Sequence, residues 1–109
     1  MKGAIVLIPF PFTDLSTTKL RPALILYENN YDVVVAFISS KIPVTLSPAD
    51  FPLVKQHSGF AASGLKVDSV IKLDKIATVM KNFVIGELGE LNSEARTAVN
   101  TKMREIYQI

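Results

Sequence analysis

The first forty residues alternate between apolar runs and short polar breaks. The first run covers Ala4 to Phe10, the second covers Arg21 to Glu28, and the third covers Asp32 to Ser39. Asn29, Asn30 and Tyr31, between the second and third runs, have the residue types of a turn. Because β-branched and other apolar residues dominate each run, the pattern predicts three strands, the last two joined in a hairpin.

Beyond Ser40 the pattern is less regular and contains several prolines. A short run from Phe51 to Lys55 predicts a strand, and the small residues from Gly59 to Gly64 predict a flexible segment. Further on, the stretch around Val70, Lys72 and Asp74 has strand spacing and predicts one more strand, with room for a bend.

The C-terminal residues have a helical period. From Ser93 onward, apolar residues recur at steps of three and four, and Asn92 has a side chain suited to an N-cap. We therefore predict an amphipathic helix that packs on a sheet. Five or so short strands with one terminal helix predict a mainly β protein, a small curled sheet or barrel with a C-terminal helix.

Composition favours one domain over residues 1–109, because 109 residues that are 49% hydrophobic suit a single core. The chain has no cysteine, which excludes disulfides, thiolate nucleophiles and cysteine-ligated zinc, and favours a reducing cytoplasm. The longest apolar stretch, residues 4–12, is too short and proline-broken to cross a bilayer. The sequence predicts a soluble cytoplasmic protein with no membrane contact.

Positive charge is concentrated in the first part of the chain. The net charge is +2, and residues 1–86 hold nine Lys and Arg against six Asp and Glu, whereas residues 87–109 hold three against four. This surplus is a weak indication of a polyanionic partner.

The residue inventory removes several kinds of chemistry. His57 is the only histidine, so acid–base catalysis by two histidines and a histidine-rich metal site are unavailable. No carboxylates have the spacing of metal ligands, and the glycines from Gly59 to Gly64 lack the Gly-Lys-Ser/Thr ending of a phosphate-binding loop. We predict neither a metal nor a cofactor.

What remains is Arg21 at the start of one predicted strand and a serine pair at the end of the next. With a three-residue hairpin loop, Glu28 lies opposite Asp32 and Arg21 lies opposite Ser39, close enough for both to hold one phosphate.

A two-residue loop instead moves Arg21 opposite Ile38 and makes Ser40 its diagonal neighbour. Both strand faces are apolar, so the pattern leaves the register open. A plainer alternative is a surface arginine that pairs with Asp14 or Glu28, beside serines that only end a strand.

Four segments carry a family resemblance. In chain order they are KGAIVLIPFPFTD at residues 2–14, LRPALIL at residues 20–26, VVAFISSK at residues 34–41, and SGL followed by DSVIKLDKI within residues 63–76. Together they resemble the PemK/MazF family of toxin endoribonucleases from bacterial type II toxin–antitoxin systems, from the N-terminus to about residue 91.

The resemblance implies an SH3-like barrel of the PemK/MazF/CcdB-like fold that forms a homodimer, cuts single-stranded mRNA without a metal and is inhibited by a cognate antitoxin. Family members let the 2′-OH of the RNA attack the adjacent phosphate, which yields a 2′,3′-cyclic phosphate and a 5′-OH. The family's active-site arginine corresponds to Arg21, and its hydroxyl residue, commonly threonine, corresponds to Ser39.

The resemblance also implies an RNA groove. The loop before the second strand would cover it, and polar residues would contact RNA from this loop and from the end of the third strand. These residues are Thr13, Ser16, Thr17, Lys19, Ser40 and Lys41. Phe10 and Phe12 are core residues or platforms on which bases stack.

Two other functions remain open at this point. One is a toxin of the same fold that poisons DNA gyrase by protein contact, as the CcdB family does, which would not need Arg21 and Ser39 in one pocket. The other is a barrel without catalytic activity that binds RNA or protein.

Overall fold

The computed structural model describes residues 1–11 and 18–109. Six antiparallel strands form one sheet in the order β4-β5-β3-β2-β1-β6. The elements are β1 (Ala4–Pro11), β2 (Thr18–Glu28), β3 (Asp32–Ser39), β4 (Asp50–Leu53), α1 (Phe60–Ser63), β5 (Ser69–Met80), β6 (Gly86–Glu90) and α2 (Ser93–Ile106), with a 3₁₀ turn at Lys81–Phe83.

The sheet curls into a half-barrel and has a buried cluster on each face. The helix face, covered by α2, is formed by Ile5, Leu24, Ala36, Ile38, Leu53, Ile71 and Leu73 with Ala95 and Val99 of the helix. The opposite face is formed by Ala4, Val6, Ile8, Ala23, Ile25, Val33 and Val35. Because strand side chains alternate between faces, β1, β2 and β3 are apolar on both sides and read as nearly continuous apolar runs.

Strand β5 is bent. Ala36 of β3 lies opposite Ile76, but the next residue, Phe37, lies opposite Lys72. Residues 73–75 therefore have no partner in β3, and an unpaired insertion of this kind bends a strand. The predicted bend is confirmed.

The segment predicted to be flexible, Gly59 to Gly64, instead forms the helical turn α1 and packs on β6. Gly64 ends the turn with a φ of 73°, and a Cβ placed there would lie 2.0 Å from the carbonyl oxygen of Leu88. A Cβ on Gly89 would lie 2.2 Å from the carbonyl oxygen of Ala62. Glycine is required here because two backbones approach each other closely.

Two other expectations about the strands need correction. Strand β6 was not predicted, because its GELGE sequence has no β-branched residue and its strand conformation comes from pairing with β1. The strand expected from Phe51 to Lys55 runs from Asp50 to Leu53. The C-terminal helix is confirmed, and Asn92 caps it by accepting a hydrogen bond from the Ala95 N–H at 2.9 Å. Neither α1 nor α2, the helices of the described residues, is long and apolar enough to span a bilayer.

A buried carboxylate connects β4 to β5. Asp50 is 2% exposed, and its Oδ1 lies 2.8 Å from Lys72 Nζ, with no other partner among the described residues. Its Oδ2 accepts the Ser47 N–H at 2.8 Å. Lys72 and, to a lesser degree, the Ser47 backbone hold the pKa of Asp50 below its ordinary value.

Replacing Asp50 with alanine is expected to lower the free energy of unfolding by about 2 kcal/mol at pH 7, the scale of hydrogen bonds to a buried charge. A carboxylate whose pKa is depressed on folding stabilises the fold above its unfolded pKa, and this contribution disappears as pH falls through the lower folded pKa. The difference in the free energy of unfolding between wild type and Asp50→Ala, measured by urea denaturation, should therefore shrink below about pH 4. Asp74→Ala, at an exposed position in the β5 bend, should change little at either pH; a constant Asp50→Ala difference would contradict the charge argument.

Candidate functional site

The candidate site lies where two neighbouring strands separate. The β2–β3 ladder ends at the pair Ala23–Phe37, but β2 continues to Thr18 along β1 and β3 continues to Ser39 along β5. The separation opens a pocket of about 170 Å³, here called the arginine pocket. Its lining is Phe10, Arg21, Phe37, Ile38 and Ser39.

The hairpin loop is longer than either predicted alternative. Glu28 lies opposite Val33, not Asp32, so four residues form the loop. The cause is a turn held by Asn29, whose Oδ1 accepts the N–H groups of Tyr31 and Asp32 at 2.9 and 2.8 Å.

A β-bulge then restores the register that brings the candidate residues together. Leu26 has no partner in β3, and beyond it the pairing shifts by one so that Ala23 lies opposite Phe37. Continued by two residues, this register directs Arg21 toward Ser39. The alternative with Arg21 opposite Ile38 is therefore wrong.

Ser39 has a defined hydrogen bond. Its Oγ accepts the Lys41 N–H at 3.0 Å, which uses a lone pair and leaves the hydroxyl proton to be donated elsewhere. Ser40, by contrast, is exposed and lines a different pocket. Of the two serines, Ser39 is the one that shares the arginine pocket with Arg21.

The wall beside Arg21 is aromatic. The rings of Phe10 and Phe37 meet edge to face, with centroids 4.9 Å apart at an interplanar angle of 82°. Arg21 is half-buried, and a charge beside apolar rings is screened less than one on an open surface. Phe10 is 36% exposed, so it forms part of a pocket wall and is not a core residue.

Arg21 also lines a second, larger cavity at the end of the half-barrel, here called the mouth pocket. Its volume is about 460 Å³, and its walls come from β1, β2, β3, β6 and the segment after α1. The cationic residues on its lining are Lys19, Arg21 and Lys66. The arginine pocket and the mouth pocket thus share Arg21 and Ile38.

Of the remaining predicted RNA-binding residues, the structure describes only two, Lys19 and Lys41. Lys19 is exposed opposite Phe10 in the β1–β2 ladder, and Lys41 is exposed just beyond β3. Phe12, Thr13, Ser16 and Thr17, with the alternative ion-pair partner Asp14, lie outside the described residues. The binding roles of all of these residues stay predictions.

Glu28, the other partner considered for Arg21, is engaged at the opposite end of β2. Its carboxylate lies 2.6 Å from the N-terminal ammonium and 2.9 Å from Lys81 Nζ. The hydrogen bond from the N-terminus and then that from Lys81 lower the pKa of Glu28. Glu28 therefore ties the chain terminus to the end of β5 and takes no part in the site.

His57 has a structural environment away from both pockets. Its Nδ1 accepts the Gly59 N–H at 2.9 Å, and its ring meets the edge of Phe51 at a centroid distance of 5.7 Å. The His57 side chain is half-buried. Within residues 1–11 and 18–109, no three His, Asp or Glu side chains cluster as metal ligands would.

Lys66 and Phe37 were missed as candidate site residues. In the sequence, Phe37 is one apolar position among several in β3, and the only signal that places it in the pocket is that it lies two residues before Ser39, on the same strand face. Lys66 lies in a loop without periodicity, so no pattern in the sequence connects it to Arg21.

The chain is a small, mainly β protein in which Arg21 and Ser39 line one pocket where two strands separate. Comparisons with known proteins identify its family. A profile of the PemK-like, MazF-like toxin of type II toxin–antitoxin systems matches residues 1–107. The chain therefore belongs to this toxin family, and the predicted resemblance is confirmed. No curated protein sequence matches significantly.

Solved structures support the same fold. The Mycobacterium tuberculosis toxin MazF-mt6 superimposes with a TM-score of 0.73 at 21% identity, over 97% of each chain. An endoribonuclease in complex with its cognate antitoxin, from a mycobacterial species, gives 0.71 at 19% identity, over 96% of this chain and 91% of that one. The predicted fold class, mainly β with a C-terminal helix, is confirmed.

Proposed function

We propose that residues 1–109 form a single toxin domain that cleaves single-stranded mRNA without a metal, with Arg21 and Ser39 at the scissile phosphate. The observation that carries this proposal is their meeting in the arginine pocket, where β2 and β3 separate. A guanidinium and a hydroxyl are the groups that bind a phosphate well. Membership of a family of endoribonuclease toxins adds support.

The proposed reaction uses the nucleophile of the substrate itself. The 2′-oxygen forms a bond to phosphorus as its proton passes to water, and the bond from phosphorus to the 5′-oxygen breaks as that oxygen takes a proton from water. The products are a 2′,3′-cyclic phosphate and a 5′-OH end. No oxidant, cofactor or external nucleophile is needed, so the protein has to supply alignment and charge.

Arg21 would supply the charge. Negative charge grows on the phosphate oxygens as the pentacoordinate phosphorane forms, and a fixed guanidinium stabilises this state more than the ground state. Arg21 would therefore act mainly through its charge and its planar fork of hydrogen-bond donors.

Ser39 would add a directed hydrogen bond. With its Oγ anchored by the Lys41 N–H, its hydroxyl proton is available for a non-bridging phosphate oxygen. The anchoring fixes the side chain before the substrate arrives, which lowers the entropy cost of binding.

Family membership supports the proposed substrate and partners. The RNA backbone would be held by the predicted contacts Thr13, Ser16, Thr17, Lys19, Ser40 and Lys41. The active form would be a homodimer in the cytoplasm, where mRNA is present, and a cognate antitoxin would inhibit it. One similar structure is described as an endoribonuclease with its cognate antitoxin, which supports an antitoxin partner here.

Ser39→Ala is expected to lower the cleavage rate about ten- to a hundredfold, since one hydrogen bond to a charged oxygen of the transition state is worth about 1.5–3 kcal/mol. Ser39→Thr keeps the hydroxyl and restricts its rotamers, so its rate should equal or exceed that of the wild type. Single-turnover cleavage of one labelled RNA measures both. Equal rates for the alanine variant and the wild type would remove Ser39 from the mechanism.

The proposed function is tested by incubating antitoxin-free protein with a long single-stranded RNA in EDTA and mapping the products. Discrete cuts with 5′-OH and cyclic phosphate ends are expected. Loss of cutting on chelation would show that a metal takes part. A folded protein that cuts none of several varied RNAs would point to a barrel that only binds.

A further inference from the structure

A third pocket lies beside the second half of β2, away from the arginine pocket and the mouth pocket. Its volume is about 350 Å³, and its walls come from residues 2–3, β2, Leu91 and α2. We call it the bulge pocket, because it is lined by Leu26, the residue at the β-bulge. It has no lining residue in common with the other two pockets, so it is distinct from the proposed RNA site.

A guanidinium is fixed at this pocket. Arg96 donates from Nε to the Leu91 carbonyl oxygen at 3.1 Å and from Nη1 to the Lys2 carbonyl oxygen at 3.0 Å. Its Nη2 donates to Glu90 Oε2 at 3.0 Å. A Cβ placed on Gly3 would lie 2.3 Å from Nη1, so the guanidinium packs against this residue of the pocket wall. Of the five N–H groups of Arg96, three are used by the described residues and two remain for a ligand.

The charged side chains on the lining are both cationic. Lys2 is exposed, and its ammonium forms no ion pair with the described residues. Arg96 is paired with a single carboxylate, that of Glu90, which is 65% exposed and is not a lining residue. One of the two positive charges is therefore left uncompensated, which favours a ligand with a single negative charge.

Most of the remaining lining is apolar. Leu24, Leu91 and Val99 belong to the buried cluster of the helix face, and Leu26 packs against it. A ligand bound here would cover part of this cluster and would gain from the burial of apolar surface. An inorganic anion would leave this wall without a contact. The lining therefore suits an anion that carries an apolar group.

We infer that the bulge pocket binds a small organic monocarboxylate, with the carboxylate at Lys2 and Arg96 and an apolar body against Leu26 and Val99. The two remaining N–H groups of Arg96 and the Lys2 ammonium are donors of the kind that bind carboxylates. A volume of about 350 Å³ lies at the lower end of the range for ligand pockets and suits a molecule of one or two rings. The inference goes beyond the proposed function, because it uses no residue of the proposed RNA site.

The test is an NMR titration of the full chain, without RNA or antitoxin, with 2-naphthoate as the probe and 2-naphthamide as its uncharged match. Saturable shifts of the backbone N–H signals of Gly3, Leu26 and Asn100, all on the lining, are expected with naphthoate. Its Kd should be about 1 mM, the scale for a ligand of this size. Naphthamide should bind about tenfold more weakly, because it lacks the charge.

Lys2→Gln removes the uncompensated charge. Naphthoate binding should weaken about threefold, the scale of an exposed ion pair, while naphthamide binding stays the same. Lys55→Gln removes a charge from an exposed position outside the pocket and is the matched control. It should leave the affinity for both probes unchanged.

Asn100→Asp adds a negative charge to the lining with almost no change of shape. The new carboxylate should repel naphthoate and weaken its binding about threefold, again without an effect on naphthamide. Thr101→Asp adds the same charge at the next position of α2, outside the pocket, and should bind naphthoate as the wild type does. All four substituted residues are exposed, so the variants should fold.

Several outcomes would overturn the inference. These are naphthoate titrations without saturable shifts at the lining signals, equal wild-type affinities for naphthoate and naphthamide, or the same naphthoate affinity in wild type, Lys2→Gln and Asn100→Asp. If the lining signals move only with an acidic peptide, or on dilution of the protein alone, the pocket belongs to a protein partner or to a second copy, and the inference fails. None of these results depends on RNA cleavage, which the incubation in EDTA tests separately.

Discussion

Replacing Arg21 with alanine is expected to lower the rate of RNA cleavage by about 10²–10³-fold, the cost of removing one preorganised group that stabilises transition-state charge. Apart from Arg21, the arginine pocket is lined by Phe10, Phe37, Ile38 and Ser39, none of which carries a charge. The variant should fold normally, because Arg21 is only half-buried and lies beyond the end of the β2–β3 ladder.

Arg21→Lys is the informative second variant. It keeps a positive charge but loses the planar fork, so its rate should fall between those of the wild type and Arg21→Ala. Single-turnover kinetics with saturating protein separate this effect from weaker binding. Lys75→Ala serves as the charge control.

Two results would contradict the role of Arg21. Wild-type cleavage rates in Arg21→Ala would place the reaction elsewhere. Growth arrest that survives in cells expressing Arg21→Ala, with no cut RNA, would favour a toxin that acts by protein contact, as in gyrase poisoning.

Much of the fold could be predicted because the strongest signals are local. The apolar runs that became β1, β2 and β3 are buried on both faces, so they stand out without any knowledge of their neighbours. The helical period and the Asn92 cap identified α2 for the same reason. In contrast, β6 and α1 depend on contacts between distant segments, such as Gly64 against Leu88.

Arg21 and Ser39 line the same pocket, as predicted, although the predicted hairpin loop was one residue too short. A three-residue loop was needed for Arg21 to lie opposite Ser39, but the observed loop has four residues. The bulge at Leu26 offsets that extra residue. A one-residue bulge leaves no signature in a run that is apolar on both faces, so the sequence could not decide between Ser39 and Ser40.

The mouth pocket could not be predicted at all. Its walls combine β1, β2 and β3 with Lys66 and Leu88, which come together only when the sheet curls and α1 packs on β6. The arginine pocket could be anticipated because its candidate residues lie in adjacent strands of one hairpin.

That packing makes Gly64 sensitive to substitution. Gly64→Val is expected to lower the free energy of unfolding by about 3–4 kcal/mol, the sum of a β-branched residue at positive φ and a backbone clash. The φ of Gly64 is 73°, and a new Cβ would lie 2.0 Å from the carbonyl oxygen of Leu88, an atom that cannot rotate away. Relief requires α1 and β6 to separate, which would also open the mouth pocket.

Gly86→Val provides the matched comparison within β6. A Cβ on Gly86 would meet no atom within 4 Å, and its φ is not positive. Valine favours strands, so this variant should be as stable as the wild type or slightly more so. Urea denaturation of the wild type, Gly64→Val and Gly86→Val measures the differences in stability. Equal midpoints for the two variants would show that the contact between α1 and β6 does not stabilise the fold. Gly64→Val should lose RNA cleavage mainly through its loss of stability, whereas Arg21→Ala should lose activity while folded.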